Sequence, residues 1–419
     1  MIQMRLISII FLNLFIISIN SQNMLILDGI TLYAQANTSI TVQGNVINNN
    51  GGEIDNSGNI YVSGDWTNNG GNTLLVNNSP GWVELNGNLQ VINGNSSTEF
   101  ENLKLNGLSG SVKTLDINTS VNSTLDLSDN ELQTQEYILY SYSTNTNSII
   151  WNGGYVSSSK LGGYFVRATA SDSTYIFPVG SSLLNNTYRA VHITPNSNSN
   201  NSYGVRLAAV NPSNDFSGTS ASGANGPFNE FILHTDVDII NTYFYHNIYQ
   251  FSGNDACDIS IDYYSSDGLF NSVAQWDDGN VKWEDRNFIS NPSSSGAILN
   301  NPDYNMTKQN ISNFMYDVFA LSIKVEEVIS EVYIPNVFSP NGDGFNDVFL
   351  VRGGSFKSFN FKIFNRWGEQ IFNSTDRTIA WDGTFKGKDV SSGVYVYQLI
   401  YTNSQGVKKI TSGNVTLIQ

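Results

Sequence analysis

Asn341, Asp343, the Phe345 carbonyl and Asp347 place oxygens at i, i+2, i+4 and i+6. Alternate residues of a tight loop can turn such oxygens toward one centre, which suits a hard cation such as Ca2+. The pattern departs from a full calcium loop, because Gly342 and Gly344 occupy its second and fourth positions and Asn346 its sixth. Arg352 stands at the twelfth, so no bidentate Glu closes the site. An Asx-turn knot held by side-chain to backbone bonds explains the same residues, and both readings stay open.

Trp276 and Trp283 flank Asp277, Asp278 and Gly279. A tight hairpin with two core or cross-strand tryptophans is one reading; an aromatic platform for sugar rings is the sharper one. Asp255, Asp258 and Asp262 are candidates for the carboxylate pair that glycan cleavage needs. His192, His234 and His246 have no GxSxG serine motif nearby. The scarcity of Lys and Arg in the first half argues against acidic sugars as substrates. The expectation is a protein without catalytic activity. Cys257, the lone cysteine, is expected to be buried and inert.

The elements around these residues follow from composition. The 419 residues include 57 Asn, 36 Gly, 21 Tyr and 23 Phe, with 13% charged. Such a chain favours strands joined by Asn/Gly turns over helices. A net charge of −16 opposes diffuse binding to nucleic acid or anionic lipid. One Cys and three His leave no disulfide framework and little for a structural zinc site. Met1–Arg5, the apolar run from Leu6 to Ile19 and small Ser21 read as a secretory signal peptide over residues 1–21, with Gln22 as the mature start. No transmembrane helix is expected in the mature chain.

The expected organisation is all-β and modular. Over 22–156, segments beginning at Val42, Val62, Leu85 and Leu105 repeat at intervals of 20, 23 and 20 residues, with Asn/Gly clusters between them. That period predicts a β-solenoid whose coils stack their apolar faces; an irregular sandwich with Asn-rich loops is the alternative. Residues 157–325 read as a β-sandwich, with short strands including 164–168, 188–194, 203–210, 231–233, 257–264 and 281–286. After a linker at 326–331, residues 332–419 read as a compact immunoglobulin-like sandwich. Its final strand makes the terminus structural or something a receptor reads.

The last unit resembles the C-terminal sorting domain of Bacteroidetes proteins exported by the type IX secretion system, in its type B or gliding motility-associated form. The resemblance lies in Ile334–Phe349, with Pro335, Asn336, Phe338, Pro340, Gly342, Gly344 and Asn346. It continues through Phe361–Phe372, with Phe364, Asn365, Arg366, Trp367 and Gly368. Trp381, Asp382 and Gly383 follow, then Gly393–Tyr397 with Tyr395. It covers about a fifth of the chain. It implies passage to the periplasm, recognition by the type IX machinery and a destination on the cell surface or in the medium. Glycans or other surface proteins are the candidate partners of the remainder, as a structural or adhesive protein or, alternatively, a polysaccharide-binding or polysaccharide-processing one.

Overall fold

The computed structural model describes residues 17–18 and 24–418 except 72–73, 76–79, 159–161, 186, 217–219, 286–289, 295–301, 313, 315–316, 326–331, 343–345, 353–355 and 404–406. The signal peptide, apart from two residues, the mature start and the 326–331 linker thus lie outside the described residues. The chain divides into two compact units, residues 1–325 and 326–419.

From Met24 onward the chain winds as a parallel β-solenoid. Met24–Asp28, Asn45–Asn49, Trp66–Asn68, Leu89–Gly94, Val112–Leu115, Glu131–Gln133 and Tyr155–Ser157 build one parallel sheet. Ser39–Val42, Asn59–Val62, Trp82–Leu85, Thr98–Leu105, Thr119–Asp126, Ile138–Ser141 and Tyr164–Thr169 build the facing one. The residues that open the sequence repeat are direct partners across this second sheet: Val42 with Val62, Val62 with Leu85, and Leu85 with Leu105. All four are buried. A single coil closes little core, so the period of about 20 residues is the condition for stacking one apolar row on the next.

Asparagine serves this stack in two ways. Its side chain satisfies backbone groups at coil corners, and it bonds to the next coil. Asn48 and Asn68 are fully buried; Asn48 Nδ2 donates to Asn68 Oδ1 at 2.9 Å. Asn68 Nδ2 donates to the Gly71 and Ser97 carbonyls at 2.8 and 2.9 Å, and its Oδ1 accepts from Gly70 N. Glycine is required where coils touch. Gly94 has φ +132°, and a Cβ there would run into the Asn68 carbonyl of the preceding coil. Replacing Asn68 with Ala strands several of these groups in the dry interior, at a cost of about 1–3 kcal/mol for each one left unpaired. We expect Asn68→Ala to lower the denaturation midpoint of the solenoid clearly. An unchanged midpoint in urea would show that the ladder is dispensable.

Tyr164–Thr169 is where parallel becomes antiparallel. One edge pairs with solenoid strand Ile138–Ser141, the other with Asn201–Ala208. The same sheet runs on through Tyr245–Ser252, Val318–Lys324, Ser272–Asp277 and Lys282–Glu284. A second sheet of Tyr175–Phe177, Val191–Pro195, Cys257–Tyr263, Tyr304–Ile311 and Ser290–Ser294 accompanies it. Side chains of both, among them Val191, Ile193, Val205, Leu207, Ile259, Ile261 and Phe319, join the solenoid interior in one continuous core. The segment expected as a strand at 231–233 makes only a bridge from Leu233 to Trp283, and Phe231 is 81% exposed. Cys257 is a free, buried thiol, as expected, and burial pushes its pKa up.

The described residues of the C-terminal unit form a five-stranded sheet, in the order Val337–Phe338, Lys408–Leu417, Gly393–Asn403, Phe356–Phe364 and Gln370–Ser374, with a small hairpin of Thr384–Phe385 and Lys388–Asp389. Phe338, Phe349, Phe361, Trp381, Leu399 and Val415 are at the centre of its own core. Among the described residues of the whole chain, no helix is long and apolar enough to cross a membrane.

Candidate functional site

The motif residues of the C-terminal unit sort by what their side chains do. Phe338 stacks on Phe349 with ring centroids 5.7 Å apart and meets Trp381 at 5.2 Å. Trp381 takes Tyr395 edge-on at 5.1 Å and donates its indole N–H to the Thr384 carbonyl at 2.9 Å. Tyr395 in turn donates its hydroxyl to the Ser391 carbonyl at 2.6 Å. Asp382 Oδ1 accepts from Thr384 N and Oγ1, fixing the turn that Gly383 passes at φ +82°. Pro340 packs beside this glycine, as does the buried Leu417. Thr416 N donates to the Asn336 carbonyl and Ile418 N to that of Phe338, so the segment after Pro335 lies parallel to the end of the last strand. The first and last stretches of the unit hold each other.

A second constellation is the hairpin tip from Asn365 to Glu369. Asn365 Oδ1 accepts from Trp367 N at 2.9 Å and Glu369 N at 3.0 Å, and Gly368 supplies the φ of +79° that closes the turn. Phe364 is half-buried at its root. Trp367 is 83% exposed, with the Arg366 guanidinium 5.5 Å from its ring. Gly393 and Val394 start the long strand in an exposed stretch.

Of the candidate calcium ligands, Asp343 and Phe345 lie outside the described residues, with Gly344. At the two ends that are described, Asp347 Oδ1 accepts from Gly342 N at 2.7 Å, and the Asn346 carbonyl accepts from Ser339 N at 2.9 Å. The first is a side-chain to backbone bond across five residues and the second joins two backbone groups, so both are compatible with either reading of the loop. Arg352, at the twelfth position, pairs through its backbone with Tyr333. Among the described residues, no three His, Cys, Asp or Glu side chains gather to hold a metal.

The tryptophan platform is corrected by burial. Trp276 and Trp283 are cross-strand partners with rings 5.5 Å apart, edge to face, and only 2% and 0% exposed. With Phe228, Tyr245 and Ala320 they fill a second core on the far side of the large sheet, so no indole face is offered to a sugar. The flanking Asp277 closes the hairpin by accepting from Gly279 N and Asn280 N.

The three carboxylates are separately engaged. Asp255 accepts from Ser197 and Asn201, and these hydrogen bonds hold its pKa below the usual carboxylate range. Asp258 accepts from Asn310 N at 2.8 Å. Asp262, four residues on along the same strand, is about 13 Å further at the usual rise, beyond the separation of either glycosidase geometry. Asp262 belongs instead to a network that sequence spacing could not reveal. Its Oδ2 meets His192 Nε2 at 2.9 Å and its Oδ1 accepts from Asn305 at 2.7 Å. Ser260, opposite His192 on the neighbouring strand, shares its hydroxyl proton with Thr307 at 2.7 Å. His234 meets Asp236 at 2.6 Å in a separate pair, and His246 is buried against the Arg189 carbonyl.

A search of curated proteins finds no match to the chain. Residues 332–417, which span the described C-terminal sheet and core, match the family model CHU_C Type IX secretion signal domain. Residues 332–417 are therefore a type IX secretion signal domain of the Bacteroidetes sorting kind, and this domain supports export through the periplasm to the cell surface or the medium.

Proposed function

We propose that residues 22–325 are the cargo of this route and serve as a structural or adhesive module contacting glycans, other cells or a substratum. The observation behind the reading is the regular coil stack. Its outward row of Thr41, Tyr61, Glu84, Lys104 and Asp126 repeats at one strand spacing, about 4.8 Å, along a single sheet face. A flat periodic face suits an extended ligand or another surface better than a small molecule, which needs a concave site. In this reading the solenoid forms the stalk to about residue 156, and the sandwich of 157–325 terminates its growing edge. The C-terminal unit is an immunoglobulin-like sandwich in this proposal, supported by its mainly antiparallel five-stranded sheet packed over an aromatic core.

The competing reading, a polysaccharide-processing protein, draws its support from the His192–Asp262–Asn305 network, which could hold an imidazole in one orientation. The mature chain on a glycan array, followed by assays for new reducing ends and unsaturated products, separates the two. Retention of cells or glycans without product supports adhesion. Product formation lost in His192→Ala would replace it with catalysis.

A further inference from the structure

Most motif residues of the secretion domain have work inside it: Phe338, Trp381 and Tyr395 fill the core, while Asn365, Gly368, Asp382 and Gly383 shape turns. Arg366 and Trp367 do neither. The indole is 83% exposed on a turn that Asn365 fixes from both sides, with the guanidinium stacked over it. Holding a large apolar ring in water on a rigid support does nothing for the stability of the domain.

The tip does not stand alone. It rises from the strand that carries Phe364, and Phe364 lies directly opposite Val396 on the sheet face turned away from the core. Val394, on the same face, is 57% exposed and Val396 43%. Further along that face Ile410, 62% exposed, stands opposite Ile400. The face also carries Lys362, opposite Gln398, and Lys408, opposite Thr402. The sign of the whole unit sets it apart from the rest of the chain. Residues 332–419 hold nine Lys and Arg against six Asp and Glu, a net +3, whereas residues 1–331 hold eleven against thirty, a net −19.

We propose that the Arg366–Trp367 tip and the adjoining strip of Phe364, Val394 and Val396 form the surface by which the export machinery grips this domain. The complementary site is an apolar cleft that admits an indole and is edged by carboxylates facing Arg366 and Lys362. Trp and Arg are the residues that most often dominate such contacts, and the opposite charge steers encounter without attracting the acidic cargo. The inference rests on the assignment of residues 332–417 as a secretion signal, and supplies the contact that assignment leaves open.

The test uses the full-length chain in a Bacteroidetes host, with periplasm, cell surface and medium assayed separately and folding judged by protease resistance. Trp367→Ala is expected to cut the exported amount at least tenfold while a protease-resistant pool builds up in the periplasm. Trp367→Phe should recover part of the export. Ile379→Ala, an exposed apolar side chain away from the tip, should leave it unchanged. Export of Trp367→Ala at the wild-type level, while a chain ended after Glu331 stays inside, overturns the surface and leaves the secretion signal standing. Export of the truncated chain as well overturns the signal itself. Should Trp367→Ala be protease-sensitive, Arg366→Glu decides: it is expected to lower export by reversing a charge in solvent, and normal export of that variant rejects the proposal.

Discussion

A chain ended after Glu331 is expected to remain in the periplasm, folded, while the full-length protein reaches the surface and medium. The two units have separate cores, so removing the second leaves the hydrophobic clusters of the first intact. A shorter cut makes the test sharper. Ending the chain after Val415 removes only four residues, but these include Thr416 and Leu417, the parallel partners of Val337 and Phe338. Leu417 is 1% exposed and packs beside Gly383. Losing one such leucine costs about 2–5 kcal/mol, and here the strand pairing goes with it. A domain of fewer than 90 residues has little stability in reserve, so the short cut should block export nearly as fully as the long one. Export that survives the short cut but not the long one would mean that the signal works without its closed fold.

The solenoid was legible because its determinant is local and repeated. Val42, Val62, Leu85 and Leu105 stand at the same place in successive coils, and the spacing of apolar residues is itself the register of the sheet. The secretion domain was legible for a related reason. Glycines and asparagines of its motif sit where turn geometry demands them, as Asn365 and Gly368 show. What stayed hidden is set by contacts distant in sequence. Nothing near Trp276 and Trp283 announces that residues such as Ala224 and Phe228, some fifty positions earlier, will join them in a core. His192 and Asp262 are 70 residues apart and meet only because their strands are neighbours in one sheet. Nor could composition show that Tyr164–Thr169 would serve both the parallel stack and the antiparallel sandwich, since each edge of a strand takes its partner from elsewhere in the chain.

Acid should weaken the first unit well before it reaches the usual carboxylate range, and His246 is the residue to hold responsible. Its ring is fully buried on strand Tyr245–Ser252, with Phe244 edge-on at 5.7 Å. Nε2 donates to the Arg189 carbonyl at 2.9 Å, and Nδ1 is buried without a hydrogen-bond partner. A proton on Nδ1 would place a cation in a dry site near the Arg189 guanidinium, which is itself paired with Asp267 at 2.5 Å. Burial first, and then the Arg189 charge, push the imidazole from 6.5 down to about 4. The unfolded chain therefore takes up a proton below 6.5 that the folded chain refuses until about 4. Stability is full above 6.5 and falls as the pH drops through that window, by on the order of 3 kcal/mol. Asp317 works in the opposite sense, because burial raises its pKa and acid relieves the cost of its charge. The comparison that isolates the histidine is His246→Gln, which can keep a neutral donor toward the Arg189 carbonyl. Unfolding of both chains between pH 7 and pH 4.5 should show a shallower acid loss in the variant. The C-terminal unit, which contains no histidine, serves as the internal reference. Equal pH slopes in the two chains would remove His246 as the source. A variant that is less stable at pH 7 but flatter toward pH 4.5 is the expected signature, because the substitution sacrifices packing while deleting the proton linkage.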